Sequence, residues 1–112
     1  MRVFVDECVT VAIMSYLKGH DFIHISDTPW LGLNNGELLR TVESSFDVFL
    51  TTDRQLPYQQ NLRTLDLIVV IMRGLSNKIE DLLPLVPETL ILLNSIRESE
   101  ARPDAVYEIN PS

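Results

Sequence analysis

Three carboxylates of this chain stand where apolar runs stop or are about to begin. Asp6 follows "RVFV" directly, and Asp53 closes "DVFLTTD". Glu37 lies in the first turn of the segment that leads into the second run, and Glu7 stands beside Asp6 as a weaker fourth member. Gathered carboxylates repel one another, so a cluster of them persists when a cation neutralises it. Oxygen donors without cysteine suit Mg2+ or Mn2+, hard ions that keep several waters and act on phosphate esters. The chemistry expected of such a cluster is metal-activated water attacking a phosphodiester, with the ion steadying the leaving oxygen. Each residue also has a plainer use. Glu37 stands three residues after Asn34, the spacing of a capping box, while Asp6 and Asp53 can cap the turns behind them and Glu7 can simply be solvated.

Behind Asp53 the chain runs "RQLPYQQNLR". Arg54, Gln55, Gln59, Gln60 and Asn61 can reach phosphate, sugar or base edges of a nucleic acid, or satisfy backbone groups that no strand ladder reaches. Other chemistries lack support. Ser15 and Cys8 have no neighbouring base in sequence, and His20 and His24 lack metal-ligand spacing and read as structural. Trp30 suits a loop contact or plain packing. There is no Gly-x-Gly-x-x-Gly and hence no dinucleotide signal.

The elements that must position these groups alternate. Strands are expected over 2–5, 21–26, 47–52 and 65–72, with a last edge strand over 105–109. Helices are expected over 10–17, closed by Gly19, and over 36–44. Pro84 and Pro87 divide the C-terminal third into a short helix and a longer one, with a capping signal at Ser76-Asn77. The loop "DTPWLGLNNG" separates the second strand from the second helix. Strands alternating with helices indicate an α/β fold with a mainly parallel sheet of four to five strands. Sites in such sheets form at the C-terminal strand ends, which is where Asp6 and Asp53 would fall. If the first and third strands are neighbours, the carboxylates meet at one edge.

Composition sets the outer bounds. The 112 residues predict one domain over 1–112, with 46% hydrophobic and 22% charged residues, a globular balance. Sixteen acidic and nine basic residues give a net charge of −7, which argues against a broad basic face for nucleic acid. It leaves room for a nuclease, because bound ions reverse the local field. Seven of the nine basic residues are arginine, a side chain suited to bidentate phosphate contacts. One cysteine excludes an intrachain disulfide, and "MRVFVDEC" lacks the apolar core of a signal peptide. No apolar run has a membrane-spanning length, so the expectation is a complete, cytoplasmic chain without a membrane partner.

"RVFVDEC", "GHDFIHISDTPWLGLNNGELL" and "FDVFLTTDRQLPYQQNL" together resemble the small PIN-like proteins of the DUF5615 type. These are relatives of the Mut7-C and VapC-like nucleases, many of them described as toxins of toxin–antitoxin pairs. The resemblance extends over about residues 2–97 and rests most on "NGELL" and "TxDRxLxYQQNL". It implies a three-layer α/β/α PIN-like fold and a Mg2+-dependent (or Mn2+-dependent) ribonuclease. Its acidic site would be Asp6, Glu37 and Asp53, with Glu7 weaker. Many such relatives carry a second aspartate two residues after the one that ends strand three. Gln55 holds that place here, and an amide is a weaker Mg2+ ligand than a carboxylate.

Two function classes follow. One is an endoribonuclease with RNA as substrate and a cognate antitoxin protein as partner. The other is a non-catalytic PIN-like module that binds nucleic acid or protein, with "ETLILLNSI" offering a homodimer face.

Overall fold

Short β-branched runs build the centre of the molecule. The computed structural model describes residues 1–99 and 105–111. Five strands form one sheet: β1 (Arg2–Val5), β2 (Asp21–His24), β3 (Val48–Thr51), β4 (Ile68–Met72) and β5 (Val106–Ile109). Their order is β2-β1-β3-β4-β5 and every pair is parallel. The expected α/β class with a parallel central sheet is what the chain adopts, at five strands. The last expected strand, 105–109, is seen as Val106–Ile109.

Alternation along the strands divides the core in two. Val3, Val5, Val48, Leu50, Val70 and Met72 share one cluster with Leu82, Leu93 and Ile96 from the C-terminal helices. Phe4, Phe49, Val69 and Ile71 share the other with Leu38, Leu39 and Val42 of α1 (Asn35–Glu43) and Leu56 of α2 (Leu56–Gln59). Both faces of the sheet are therefore covered, which is why β3 and β4 read as unbroken apolar runs. Aromatic stacking fixes the β1–β3 register on the second face: the Phe4 and Phe49 rings lie 5.4 Å apart and 17° from parallel, with Phe46 edge-on to Phe4. Trp30 packs on the same aromatic group, 6.0 Å from Phe4, so its role is packing.

Three local differences from the sequence expectation have physical causes. Residues 10–17 form a 3-10 helix, Val11–Tyr16, capped by Thr10, whose hydroxyl accepts from the Ala12 N–H. Strand β4 starts at Ile68 and not at 65. Leu65 closes the 3-10 turn Leu62–Thr64, and the Asp66 N–H donates to the Glu43 carboxylate at 2.8 Å, tying that loop to α1. Ser76 does not cap α3 (Ile79–Leu82) in the simple sense. Its hydroxyl donates to Asp81 and accepts from the Lys78 N–H. Pro84 falls in the 3-10 turn Leu83–Leu85, and Pro87 lies in the first turn of α4 (Val86–Ser99), where a missing N–H costs nothing. Gly19 takes φ +92° to turn the chain into β2, a conformation side chains resist.

Among the described residues no helix is long and apolar enough to cross a membrane.

Candidate functional site

Order β2-β1-β3 makes β1 the pivot of the sheet, because the chain runs outward from β1 to β2 and then returns past it to β3. In open parallel sheets such a reversal leaves a crevice beyond the strand C-termini. A cleft of about 970 Å³ occupies that position. Its walls are the residues that follow four strands: Asp6, Glu7 and Cys8 after β1, Ile25 after β2, Thr52, Asp53 and Arg54 after β3, and Gly74 to Asn77 after β4. Leu33, Asn35 and Leu38 close the remaining side from the loop and start of α1.

Asp6 is the most constrained of these groups. It is 9% exposed, and its two oxygens are held separately: the Glu7 N–H donates to Oδ1 at 2.8 Å and the Thr51 hydroxyl to Oδ2 at 2.8 Å. The Cys8 thiol lies 3.5 Å from Oδ2. Among the described residues no lysine, arginine or histidine pairs with Asp6, Glu7 or Asp53. Hydrogen bonds to an ionised carboxylate are the strong kind, and three donors hold this one in place without neutralising it.

Thr51 links the two strand-end aspartates. Fully buried, it donates to Asp6 and accepts from the Asp53 N–H at 3.1 Å. Asp53 in turn accepts from the Gln55 N–H at 2.9 Å through Oδ1, an Asx turn that fixes its carboxyl at the start of α2. Cys8 fastens the same corner. Its sulfur lies 3.2 Å from the Thr51 hydroxyl and accepts from the Thr52 N–H at 3.3 Å. Burial pushes the Cys8 thiol above its ordinary 9.0, and the Asp6 charge adds to the shift. With its pKa raised and its sulfur engaged by Thr51 and Thr52, this half-buried thiol serves as a packing group at the cleft wall and not as a nucleophile.

Arg54 crosses the cleft floor and donates to the Gly74 carbonyl. Gly74 is required there: a Cβ would stand 2.9 Å from the Ser76 carbonyl oxygen and 3.0 Å from that of Asp81.

The remaining sequence candidates fall elsewhere. Glu37 is exposed, and its carboxylate accepts from Asn34 Nδ2 at 2.7 Å while Asn34 Oδ1 accepts from the Glu37 N–H at 2.9 Å. Asn34 thus caps α1 as the spacing offered, but the return contact of Glu37 is to the Asn34 side-chain amide and not to its backbone N–H, and Glu37 is not among the cleft-lining residues. Gln55 faces a second groove with Arg54, Tyr58 and Arg73. Gln60 and Asn61 line a third with Arg63, and Gln59 is exposed outside all of these. The structure thus brings Asp6, Glu7, Asp53 and Arg54 together and leaves Glu37 and the amides apart. Among the described residues no group of three or more His, Cys, Asp or Glu side chains is placed to hold a metal ion.

Thr51, Cys8 and Gly74 were not singled out by motif. The only sign in the sequence was the threonine pair before Asp53. His24 is structural: Nε2 donates to the Val9 carbonyl at 2.7 Å, which leaves Nδ1 to accept from the Ser26 N–H at 3.1 Å.

No protein-family model, no curated protein and no solved structure matches this chain.

Proposed function

We propose that this chain is a Mg2+- or Mn2+-dependent endoribonuclease of the PIN-like type, acting in the cytoplasm as the toxin of a toxin–antitoxin pair. One observation carries the reading: Asp6 is a buried carboxylate, oriented by three donors and lacking a cationic partner among the described residues, in a cleft that also holds Asp53 and Glu7. The donor set fits the ion. Mg2+ is commonly held by one or two carboxylates, with waters and substrate phosphate completing its shell, so a three-carboxylate cage is not needed. Asp6 and Asp53 would hold it, with Glu7 at the rim; Glu37 is already committed to Asn34. When bound, the ion supplies Lewis-acid activation of water and neutralises charge on the phosphodiester.

The protein groups contribute positioning. Thr51 keeps Asp6 oriented and joined to Asp53, and Arg54 leaves most of its guanidinium fork free beside the cleft for a phosphate. An antitoxin would cover the mouth, where Leu33 and Leu75 are exposed. The test is cleavage of RNA with Mg2+ or Mn2+ by the wild type, Asp6→Asn and Asp53→Asn. Cleavage only by the wild type supports the assignment, and equal cleavage by all three removes it.

A second reading has its own support. Glu37 is tied up as a cap, and Gln55 stands where a further aspartate would add charge. Both favour a non-catalytic PIN-like module that binds nucleic acid or associates with itself, for instance through the α4 surface around exposed Ile91. Calorimetric titration with Mg2+ separates the two, since this reading expects no binding at millimolar metal.

A further inference from the structure

The acidic cleft does not end at Arg54. Arg54 also lines a groove of about 640 Å³ with Tyr58 and Arg73. That groove shares Pro57 and Val106 with another of about 660 Å³, lined by Gln60, Asn61 and Arg63. Arg54 is thus common to the cleft and the first groove, as Pro57 and Val106 are to the two grooves, and both grooves are lined by β5 at the edge of the sheet. Packing leaves their side chains unexplained. Tyr58 is 85% exposed on a four-residue helix and covers no core. The Arg63 side chain makes no ion pair among the described residues, and Arg73 is paired only with Glu108 on the neighbouring strand, at 2.9 Å. Among the described residues, three arginines and one glutamate line these two grooves, in a chain whose net charge is −7.

We propose that this edge groove is a binding track for single-stranded RNA that delivers the strand to the Asp6–Asp53 cleft. Arginines would follow the phosphates, Tyr58 would stack a base, and Gln60 and Asn61 would face base edges. Proteins that hold single strands combine these parts: cations along a groove and aromatic faces that accept any base. A track leading into a carboxylate cleft suits an extended polyanion, because Arg54 stands at the junction and serves both. The track rests on the nuclease reading for its purpose, yet its binding is measurable without metal or cleavage.

The experiment is fluorescence anisotropy of a labelled oligouridylate in EDTA, with wild type, Tyr58→Ala, Arg63→Gln and Asp6→Asn. Tyr58→Ala should bind about tenfold more weakly, the usual scale of one lost base stack. Arg63→Gln should flatten the logarithmic salt dependence by about 0.7, one phosphate contact on a single strand. Asp6→Asn should bind at least as well as wild type, since the track does not use that carboxylate. Wild-type affinity in Tyr58→Ala, or no binding by wild type, overturns the track and leaves the β5 edge to a protein strand. An unchanged salt slope in Arg63→Gln overturns its extension to Asn61 and Arg63. Cleavage lost in Asp6→Asn with binding intact in Tyr58→Ala would refute the track while the nuclease reading stands. Binding lost in Tyr58→Ala without cleavage by any form would do the reverse.

Discussion

The cleft and the edge groove meet at Arg54 and are built by opposite means. The cleft is acidic and sits on strand ends. Asp6, Thr51 and Thr52 are buried, and each polar group answers another: Thr51 to Asp6 and Asp53, Cys8 to Thr52. The groove is basic and sits on a one-turn helix, a 3-10 turn and an edge strand, with Tyr58 in solvent. The contrast shows where the fold and the site are the same thing. Cleft residues hold β1 to β3, so altering them should disturb stability and site together. In the groove, Arg73 is paired with Glu108 and Arg54 holds the Gly74 carbonyl, but Tyr58 and Arg63 make no such contacts among the described residues, so altering those two should change binding alone.

The strongest challenge to that division is Gly74→Ala. The added methyl would press on two backbone carbonyls that cannot swing aside, and overpacking of this kind costs about 1–3 kcal/mol. Urea denaturation should show the loss with an unchanged m-value; a neutral result would mean that the cleft floor is looser than its contacts indicate. Thr51→Val comes next. It keeps the shape but removes the closest donor to Asp6 Oδ2 and leaves the Asp53 N–H without its acceptor, at a cost of about 2 kcal/mol, while Thr51→Ser should recover most of it.

A smaller effect concerns pH. The folded protein raises the Cys8 pKa, so the stability gained from keeping the thiol neutral is complete below its ordinary 9.0 and lost as pH rises through the folded value. Melting curves of wild type and Cys8→Ala should therefore converge above about pH 9. His20, at the far end of the sheet, has the opposite sense. Burial lowers its pKa, and its contribution is present above the ordinary 6.5 and lost as pH falls. Tyr58→Ala should have the least effect on stability, within about 0.5 kcal/mol, as expected for an exposed side chain. A large loss there would erase the contrast between the two regions.

The same contrast explains what the sequence could reveal. Strand ends were legible because β-branched runs stop abruptly at Asp6 and Asp53, and the parallel α/β class followed from the alternation of elements. The Asn34–Glu37 spacing predicted a cap, and the geometry shows that cap; the same spacing could not say whether Glu37 also reached the other carboxylates. That Thr51 reaches Asp6 could not be read from the chain, since it depends on β1 lying beside β3, a pairing between residues more than 40 positions apart. The amides after Asp53 formed one run in the chain but fall into different surroundings. Gln55 and Gln60 stand at opposite ends of the single turn of α2 and border different grooves, each completed by β5 from the far end of the sequence, while Gln59 borders neither.

The central claim is that the cleft holds a divalent ion between Asp6 and Asp53. Calorimetric titration of the apoprotein with Mn2+ tests it most directly, with Asp6→Asn, Asp53→Asn and Glu37→Gln alongside. One site in the wild type, lost in both aspartate variants and kept in Glu37→Gln, is the expected result. No binding by the wild type, or binding that survives both aspartate substitutions, would contradict it.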